Sequence, residues 1–398
     1  MAVGTAPNAS TPAPGAPHLL IVATVANTIA AFLLPYAAHF RSLGWRVDAA
    51  ASGAPQDQRV VGAFDHAYDL PLSRSLRDVR GLWNASRAVH QILATDPDIV
   101  HVHTPIASFV TRYMNARRPP GRRSAAVYTA HGFHFHATGG LLPNAAFLMA
   151  ERIAGRWTDR LIVINDEDEE AAARHRIVPG RRLVRMPGIG LDTATYSPAA
   201  VSARAASSAR ARLGIPAAAP LFVVVAELTA RKRQQDAIAA LGLLARTDAH
   251  LVLAGEGAKR PELEAQVRSA GLAERVHFLG VVVDVRPLVR AAAAVILPSG
   301  REGLARSVME ALSLEIPVIG STARGNRELV GDDRGRIFET GDVHGLADAM
   351  TWLIDHPAAG VEMGRRGRAR MVERYDIQVL VQMHEELYRG LLAERPAS

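Results

Sequence analysis

At 398 residues, 48% of them apolar, the chain exceeds one ordinary compact core and calls for two domains of roughly 150–200 residues each. Charged residues at 21% exclude an intrinsically disordered chain, and the lack of cysteine excludes disulfides and thiolate metal sites. The formal net charge of +7 favours anionic partners, yet it is carried almost wholly by arginine, with Lys232 and Lys259 the two lysines; no nucleic-acid-binding module accompanies it, so no nucleic-acid partner is expected.

Residues 1–17 are rich in Pro, Ala, Gly, Ser and Thr and read as a disordered tail. Leu19 to Ala38 then runs twenty residues without a charge, long enough for a membrane span. Thr24, Asn27, Thr28 and Pro35 interrupt it, and no basic segment precedes it. It divides better into a strand, His18–Ala26, a turn, and a helix from Phe32 to Leu43. Further strands are expected at Trp45–Ala51, Ile99–His103, Ala125–Ala130 and Arg160–Ile164, with helices at Val79–Thr95 and Leu142–Ala154. Apolar strands alternating with helices point to a doubly wound parallel sheet.

The pattern breaks near Tyr196 and Ser197-Pro198, then restarts with strands at Pro220–Ala226, His250–Ala254, Val276–Leu279, Ala294–Pro298, Pro317–Gly320 and Gly335–Phe338. The expected organisation is thus α/β throughout: a first Rossmann-like domain over 18–196 and a second over 197–377. A final amphipathic helix near Gln378–Leu392, within 378–396, packs back on the first. Two such domains facing one another would leave a cleft at the carboxyl ends of their strands.

The most informative segment is Pro298-Ser299-Gly300-Arg301-Glu302-Gly303-Leu304-Ala305-Arg306-Ser307-Val308-Met309-Glu310-Ala311-Leu312. It leaves a strand and opens a helix, so the backbone N–H groups of Gly303, Leu304, Ala305 and Arg306 form a ready site for a diphosphate. Gly303 lets the main chain approach closely. Glu302 and Glu310 are carboxylates that can each accept paired hydroxyls, the first from a sugar and the second from a ribose.

Glu, seven residues, Glu, then Ala-Leu, placed after a strand, resembles the signature of the family-4 retaining glycosyltransferases with the GT-B fold. Ile316-Pro317-Val318-Ile319, Gly325-Asn326-Arg327-Glu328-Leu329-Val330, Leu253-Ala254-Gly255-Glu256-Gly257 and His277-Phe278-Leu279-Gly280 are similar to that family as well. The resemblance covers about residues 18–390. It implies a nucleotide-sugar donor and no metal or other cofactor. In Ala226-Glu227-Leu228-Thr229-Ala230-Arg231-Lys232-Arg233, Lys232 matches the family's lysine on the donor phosphates, where an ammonium steadies the departing nucleotide. Many relatives carry Arg where this chain has Glu227, and Arg231 stands in as the replacement. Ala305 replaces a common proline. Gly255 belongs to the donor side, and Gly280 and Val281 lie beneath the nucleobase in this reading.

In the first half, Tyr128-Thr129-Ala130-His131-Gly132-Phe133-His134-Phe135-His136 follows a strand. The resemblance makes His131 a contact to the donor sugar and leaving group. His101, His103, His131, His134 and His136 also invite a metal, but no paired carboxylate accompanies them. Buried, hydrogen-bonded strand ends are the commoner fate of His101 and His103. The wording Asp98-Ile99-Val100-His101-Val102-His103-Thr104-Pro105 is similar to a narrower subgroup. That subgroup builds bacterial capsules, exopolysaccharides and lipid-linked oligosaccharides on polyprenyl-diphosphate-linked sugars. A cytoplasmic enzyme, peripheral on the inner membrane face, is implied, docking through Arg112–Arg123 and the helix around Phe147. UDP is the expected nucleotide, and His131, Glu302 and Lys232 are the expected catalytic residues. The alternatives are transfer to a soluble natural product, a sugar-nucleotide epimerase, and a binding protein without turnover. Oligomeric state is left open by the sequence.

Overall fold

The computed structural model describes residues 3–5, 15–72, 79–133, 135 and 140–394. The chain forms two compact units, Met1–Ile189 with Gln378–Ser398, and Gly190–Ile377. The division falls before Gly190 instead of after Tyr196. The reason is local pairing: Leu191 N donates to Tyr375 O at 2.8 Å, Ile377 N donates to Leu191 O at 2.9 Å, and Thr193 Oγ1 donates to the Asp376 carboxylate.

The first unit is built on one sheet of β1 (Val3–Thr5), β2 (His18–Val25), β3 (Arg46–Ser52), β4 (His66–Asp69), β5 (Ile99–Val102), β6 (Ala125–Ala130), β7 (Arg160–Val163) and β8 (Leu183–Arg185). Their order is β1-β4-β3-β2-β5-β6-β7-β8, parallel save for β1 on β4. The tail expected to lack structure therefore contributes an edge strand, whose backbone caps the open edge of β4. Its remaining residues up to 14 lie outside the described set. β4 and β8 were not anticipated, because His66-Ala-Tyr-Asp and Leu183-Val-Arg are too short and polar to register as buried runs.

The uncharged run Leu19–Ala38 becomes β2 and two helices, Ala26–Phe32 and Leu34–Ser42, with Pro35 in the first turn of the second, where a missing N–H costs nothing. No turn separates strand from helix, contrary to expectation: Val25 is the extended N-cap of the first helix. Among the described residues, no helix is long and apolar enough to cross a membrane. The C-terminal helix Ile377–Ala393 lays Tyr388 against Phe40, ring centroids 5.0 Å apart, and pairs Glu385 with His39 at 2.8 Å.

Arg112 departs from the surface role expected of the Arg112–Arg123 segment. It is 2% exposed, on the helix Pro105–Ala116. Its guanidinium lies 4.2 Å over the Tyr128 ring, donates to Thr158 Oγ1 at 2.9 Å and faces Glu151 at 3.6 Å. Arg118 is likewise buried, bonded to Asp96.

The second unit carries β9 (Leu221–Val225), β10 (His250–Ala254), β11 (Val276–Gly280), β12 (Ala294–Leu297), β13 (Val318–Ser321) and β14 (Gly335–Phe338), all parallel, in the order β11-β10-β9-β12-β13-β14. Along β9, Leu221 and Val223 enter one apolar cluster while Phe222 and Val224 enter another. Both faces of the sheet are thus covered, as a parallel sheet requires. In both units the strand order reverses once, between β2 and β5 and between β9 and β12. These reversals are the places where such sheets bind ligands, just beyond the strand carboxyl ends.

Removing the Arg112 side chain leaves Glu151 without its buried partner. Arg112→Ala is expected to destabilise the first unit by about 3 kcal/mol or more, read as a lower urea midpoint. An unchanged midpoint contradicts this account of its burial.

Candidate active site

In the second unit, Lys232 leaves β9 and Glu302 leaves β12, so both stand at the strand-order reversal. Lys232 Nζ donates to Glu302 Oε1 at 2.7 Å. Arg231 Nη1 reaches the same oxygen at 3.3 Å and the Arg301 carbonyl at 2.8 Å, while Gly300 N donates back to Arg231 O at 2.9 Å. The two exit loops are thereby stitched together. Arg324 Nε donates to Glu302 O at 3.3 Å. Arg301 has its pKa lowered, by burial first and then by the charges of Arg324 and Arg231, with Glu302 opposing. Positive charge exceeds what the 8%-exposed Glu302 carboxylate neutralises, which favours an anion at this place.

A polar knot holds the β12 exit loop from below. Ser321 Oγ donates to Ser299 O at 2.6 Å, and Asn326 Nδ2 donates to Ser321 Oγ at 3.1 Å and to Leu297 O at 3.3 Å. Beyond the loop, Gly303 and Leu304 lead to Ala305, the N-cap of the helix Arg306–Ser313, which no side chain caps. Glu310 lies in this helix, 7% exposed, and accepts from Arg306 Nε at 2.8 Å. Tyr196 also bonds Glu310; its phenol is pushed up to about 12, by burial first and then by the Glu310 charge, and so keeps its proton.

Gly255 and Gly280 form a separate locus, joined by an isolated antiparallel bridge. A Cβ on Gly255, at φ +156°, would lie 2.0 Å from Ala226 O. Val281 is 75% exposed, an unusual place for a valine. Glu227 is exposed, and its carbonyl accepts from Gln234 Nε2 at 2.9 Å. The structure thus brings Arg231, Lys232 and Glu302 into contact, and Arg306 with Glu310. Arg301, Arg324 and Tyr196 were given no role from the sequence: Arg301 lies inside the Pro298–Leu312 segment and Arg324 adjoins Gly325–Val330, whereas Tyr196 was taken only as a boundary.

In the first unit, His131 follows β6, and His103 follows β5 at the strand-order reversal. His103 Nδ1 lies 3.2 Å from His131 Nε2, with the rings stacked 5.5 Å apart. His101 bonds Tyr388 OH and, at 2.7 Å, Thr129 Oγ1. His384 bonds Leu380 O at 2.7 Å and stacks 5.7 Å from His101. Burial pushes His101 and His103 well below the usual imidazole value, aided by the neighbouring imidazoles. His131 falls to about 4 through burial and then the charge of His384, and His384 to about 4 through burial. At neutral pH the cluster is uncharged. Phe133 N donates to Asp168 Oδ1 at 3.2 Å, anchoring the turn after His131. Among the described residues no cluster of His, Asp and Glu suits a metal; His134 and His136 lie outside them.

Residues 27–188 match the family described as "Glycosyl transferase 4-like domain", and residues 206–370 match "Glycosyl transferases group 1". The chain is 32% identical over 354 residues to "Putative glycosyltransferase EpsD" of Bacillus subtilis (strain 168), covering 88% of this chain and 91% of that one. It is 26% identical over 304 residues to the "UDP-Gal:alpha-D-GlcNAc-diphosphoundecaprenol alpha-1,3-galactosyltransferase" of Escherichia coli, covering 75% and 76%. The fold is similar to that of Anabaena Alr3699/HepE in complex with UDP, with a TM-score of 0.78 at 20% identity over 94% of this chain and 100% of that one. Fold and relatives define a glycosyltransferase. The chain belongs to the family-4 glycosyltransferases of GT-B fold.

Two outcomes follow from the geometry. A Cβ on Gly325 would stand 1.3 Å from Gly303 O, so Gly325→Ala must displace the loop before the helix Arg306–Ser313. Nucleotide-sugar binding by calorimetry is expected to weaken roughly tenfold, and an unchanged affinity would dissociate this loop from the donor. The second concerns acid. The unfolded chain protonates its histidines near pH 6.5, whereas folded His131 and His384 resist until about 4. Their contribution to stability is complete above about pH 6.5 and is lost as the pH falls toward 4. Thermal unfolding between neutrality and pH about 5 should show this loss, with a shallower slope in His384→Leu; equal slopes would contradict it.

Proposed function

We propose that the chain transfers a sugar from a UDP-sugar, with retention of anomeric configuration, to a polyprenyl-diphosphate-linked saccharide during surface polysaccharide assembly. The observation that carries the reading is the Lys232–Glu302 pair, set among Arg231, Arg301 and Arg324 beside an uncapped helix N-terminus. A diphosphate satisfies that surplus of positive charge. The UDP bound in the Anabaena structure and the undecaprenol-linked acceptor of the Escherichia coli relative support the choice of nucleotide and acceptor.

In this reading the bond from the anomeric carbon to the diphosphate oxygen breaks as the acceptor oxygen attacks from the same face. The electron pair of the broken bond, and then the acceptor's proton, go to the departing diphosphate. Lys232 and Arg231, with Arg231 serving in place of the relatives' Arg at the Glu227 position, stabilise the charge that develops there, together with the N–H groups of Gly303, Leu304, Ala305 and Arg306. Glu302 orients the sugar hydroxyls. Glu310 accepts the ribose hydroxyls in place of the exposed Arg306 arm. Gly255 admits the main chain closely, Gly280 and Val281 support the base, and His131 touches the sugar or its leaving group. Positioning and charge stabilisation carry the catalysis, with no metal or other cofactor.

The acceptor reading asks for a surface that meets lipid. On the helices Val79–Leu93 and Leu141–Gly155, Trp83 is 65% exposed, Leu142 85% and Met149 56%, with Arg152 and Arg156 exposed nearby in sequence. Apolar anchors beside arginines suit an anionic bilayer face and support a peripheral position on the inner membrane.

UDP release from a panel of UDP-sugars, with and without a polyprenyl-diphosphate-sugar acceptor, tests the activity. Release from one donor that depends on the acceptor is expected, unchanged by EDTA. Lys232→Ala and Glu302→Ala should each lower kcat/KM by about a hundredfold or more. Full turnover in both variants would remove these roles, and release that ignores the lipid acceptor would point to a soluble one.

A further inference from the structure

His103 is 2% exposed, at the carboxyl end of β5. Its backbone N donates to Val22 O at 2.9 Å, which fixes the strand end, and one ring face packs 4.0 Å from His101. Its Nδ1 meets His131 Nε2 at 3.2 Å. Its Nε2 is buried and has no hydrogen-bond partner among the described residues. His131 is half-buried, and among the described residues no bond is made by its Nδ1.

The contact between two neutral imidazoles needs one proton, and it can be placed in two ways. If His131 Nε2 carries the proton, His103 Nδ1 must accept it. The proton of His103 then sits on Nε2, as a buried donor with nothing to receive it. If His103 Nδ1 carries the proton, its Nε2 is left with only an unused lone pair, and His131 Nε2 is the acceptor. Orphaned buried N–H groups are the rarer arrangement in folded proteins. Which imidazole nitrogen is protonated is set by the bond the other makes. Doubly protonated rings are disfavoured at this depth, because burial opposes their charge.

We infer that His103 is a positioning residue: it donates from Nδ1 to His131 Nε2 and so holds the proton of His131 on Nδ1. His131 then meets the substrate as a neutral hydrogen-bond donor, not as a proton acceptor. An N–H at that nitrogen suits an accepting oxygen: a sugar hydroxyl, or the departing diphosphate oxygen that gains negative charge. The tautomer of His131 thereby follows from a buried strand-end histidine. This inference rests on the reading that His131 contacts the donor.

The test is a histidine 15N correlation spectrum of the full chain at neutral pH, with the His131 signals assigned by their loss in His131→Asn. The proton of His131 is expected on Nδ1 in the wild type. In His103→Leu it should leave Nδ1 as the fixed tautomer and give a mixture. In His103→Asn, whose amide N–H can stand where Nδ1–H stood, it should stay on Nδ1. Turnover should follow, with kcat roughly tenfold lower in His103→Leu, acceptor KM unchanged, and most activity restored in His103→Asn. A wild-type His131 protonated on Nε2 overturns the inference, and this spectrum decides it even where His103→Leu fails to fold. An unchanged His131 tautomer in a folded His103→Leu overturns it equally. Full turnover in His131→Ala, with the wild-type tautomer as expected, removes the donor-contact reading alone.

Discussion

The carboxylate of Glu302 is almost out of water, and a buried charge of that kind persists only beside a partner. Lys232 supplies it at 2.7 Å, from a different strand exit. That single contact depends on the whole sheet. It requires β9 and β12 to be neighbours, with their carboxyl ends at the same edge, and therefore the reversal of strand order between them. It also requires the loop after β12 to turn sharply, which the Ser299–Ser321–Asn326 knot and the cramped approach of Gly325 to Gly303 impose. The cations exceed the carboxylate, so the packing that stabilises Glu302 also leaves a place that favours an anion.

The first unit solves a different problem. Its carboxyl edge is lined by imidazoles that burial keeps neutral. Neutral histidines make directional hydrogen bonds without carrying a charge. The C-terminal helix takes part, since Tyr388 bonds His101 and His384 packs beside it. A helix at the far end of the sequence thus helps set the strand-end histidines of the first unit, which explains why the chain returns to that unit after completing the second.

Much of this was legible in the sequence. The buried parallel strands from His18 to Phe338 announce themselves as short apolar runs, and the Glu302–Glu310 spacing marks the candidate site segment, because a strand exit, a glycine and a helix start follow in order. The burial of His101 and His103 was also the commoner outcome for histidines at strand ends. What stayed hidden depends on partners far away in sequence. Arg112 reads as part of a basic stretch, and nothing local reveals that Tyr128, Glu151 and Thr158 enclose it. Arg324 gains meaning only once the β13 exit lies beside that of β12, and Tyr196 only once it meets Glu310. Short edge strands such as Leu183–Arg185 carry too little apolar pattern to be seen alone.

The most direct test of the central claim is a structure of the chain with a bound UDP-sugar. The account predicts the diphosphate against Lys232 Nζ and the N-terminus of the helix Arg306–Ser313, sugar hydroxyls on Glu302, and ribose hydroxyls on Glu310. A diphosphate bound elsewhere, with the Lys232–Glu302 pair untouched, would contradict it.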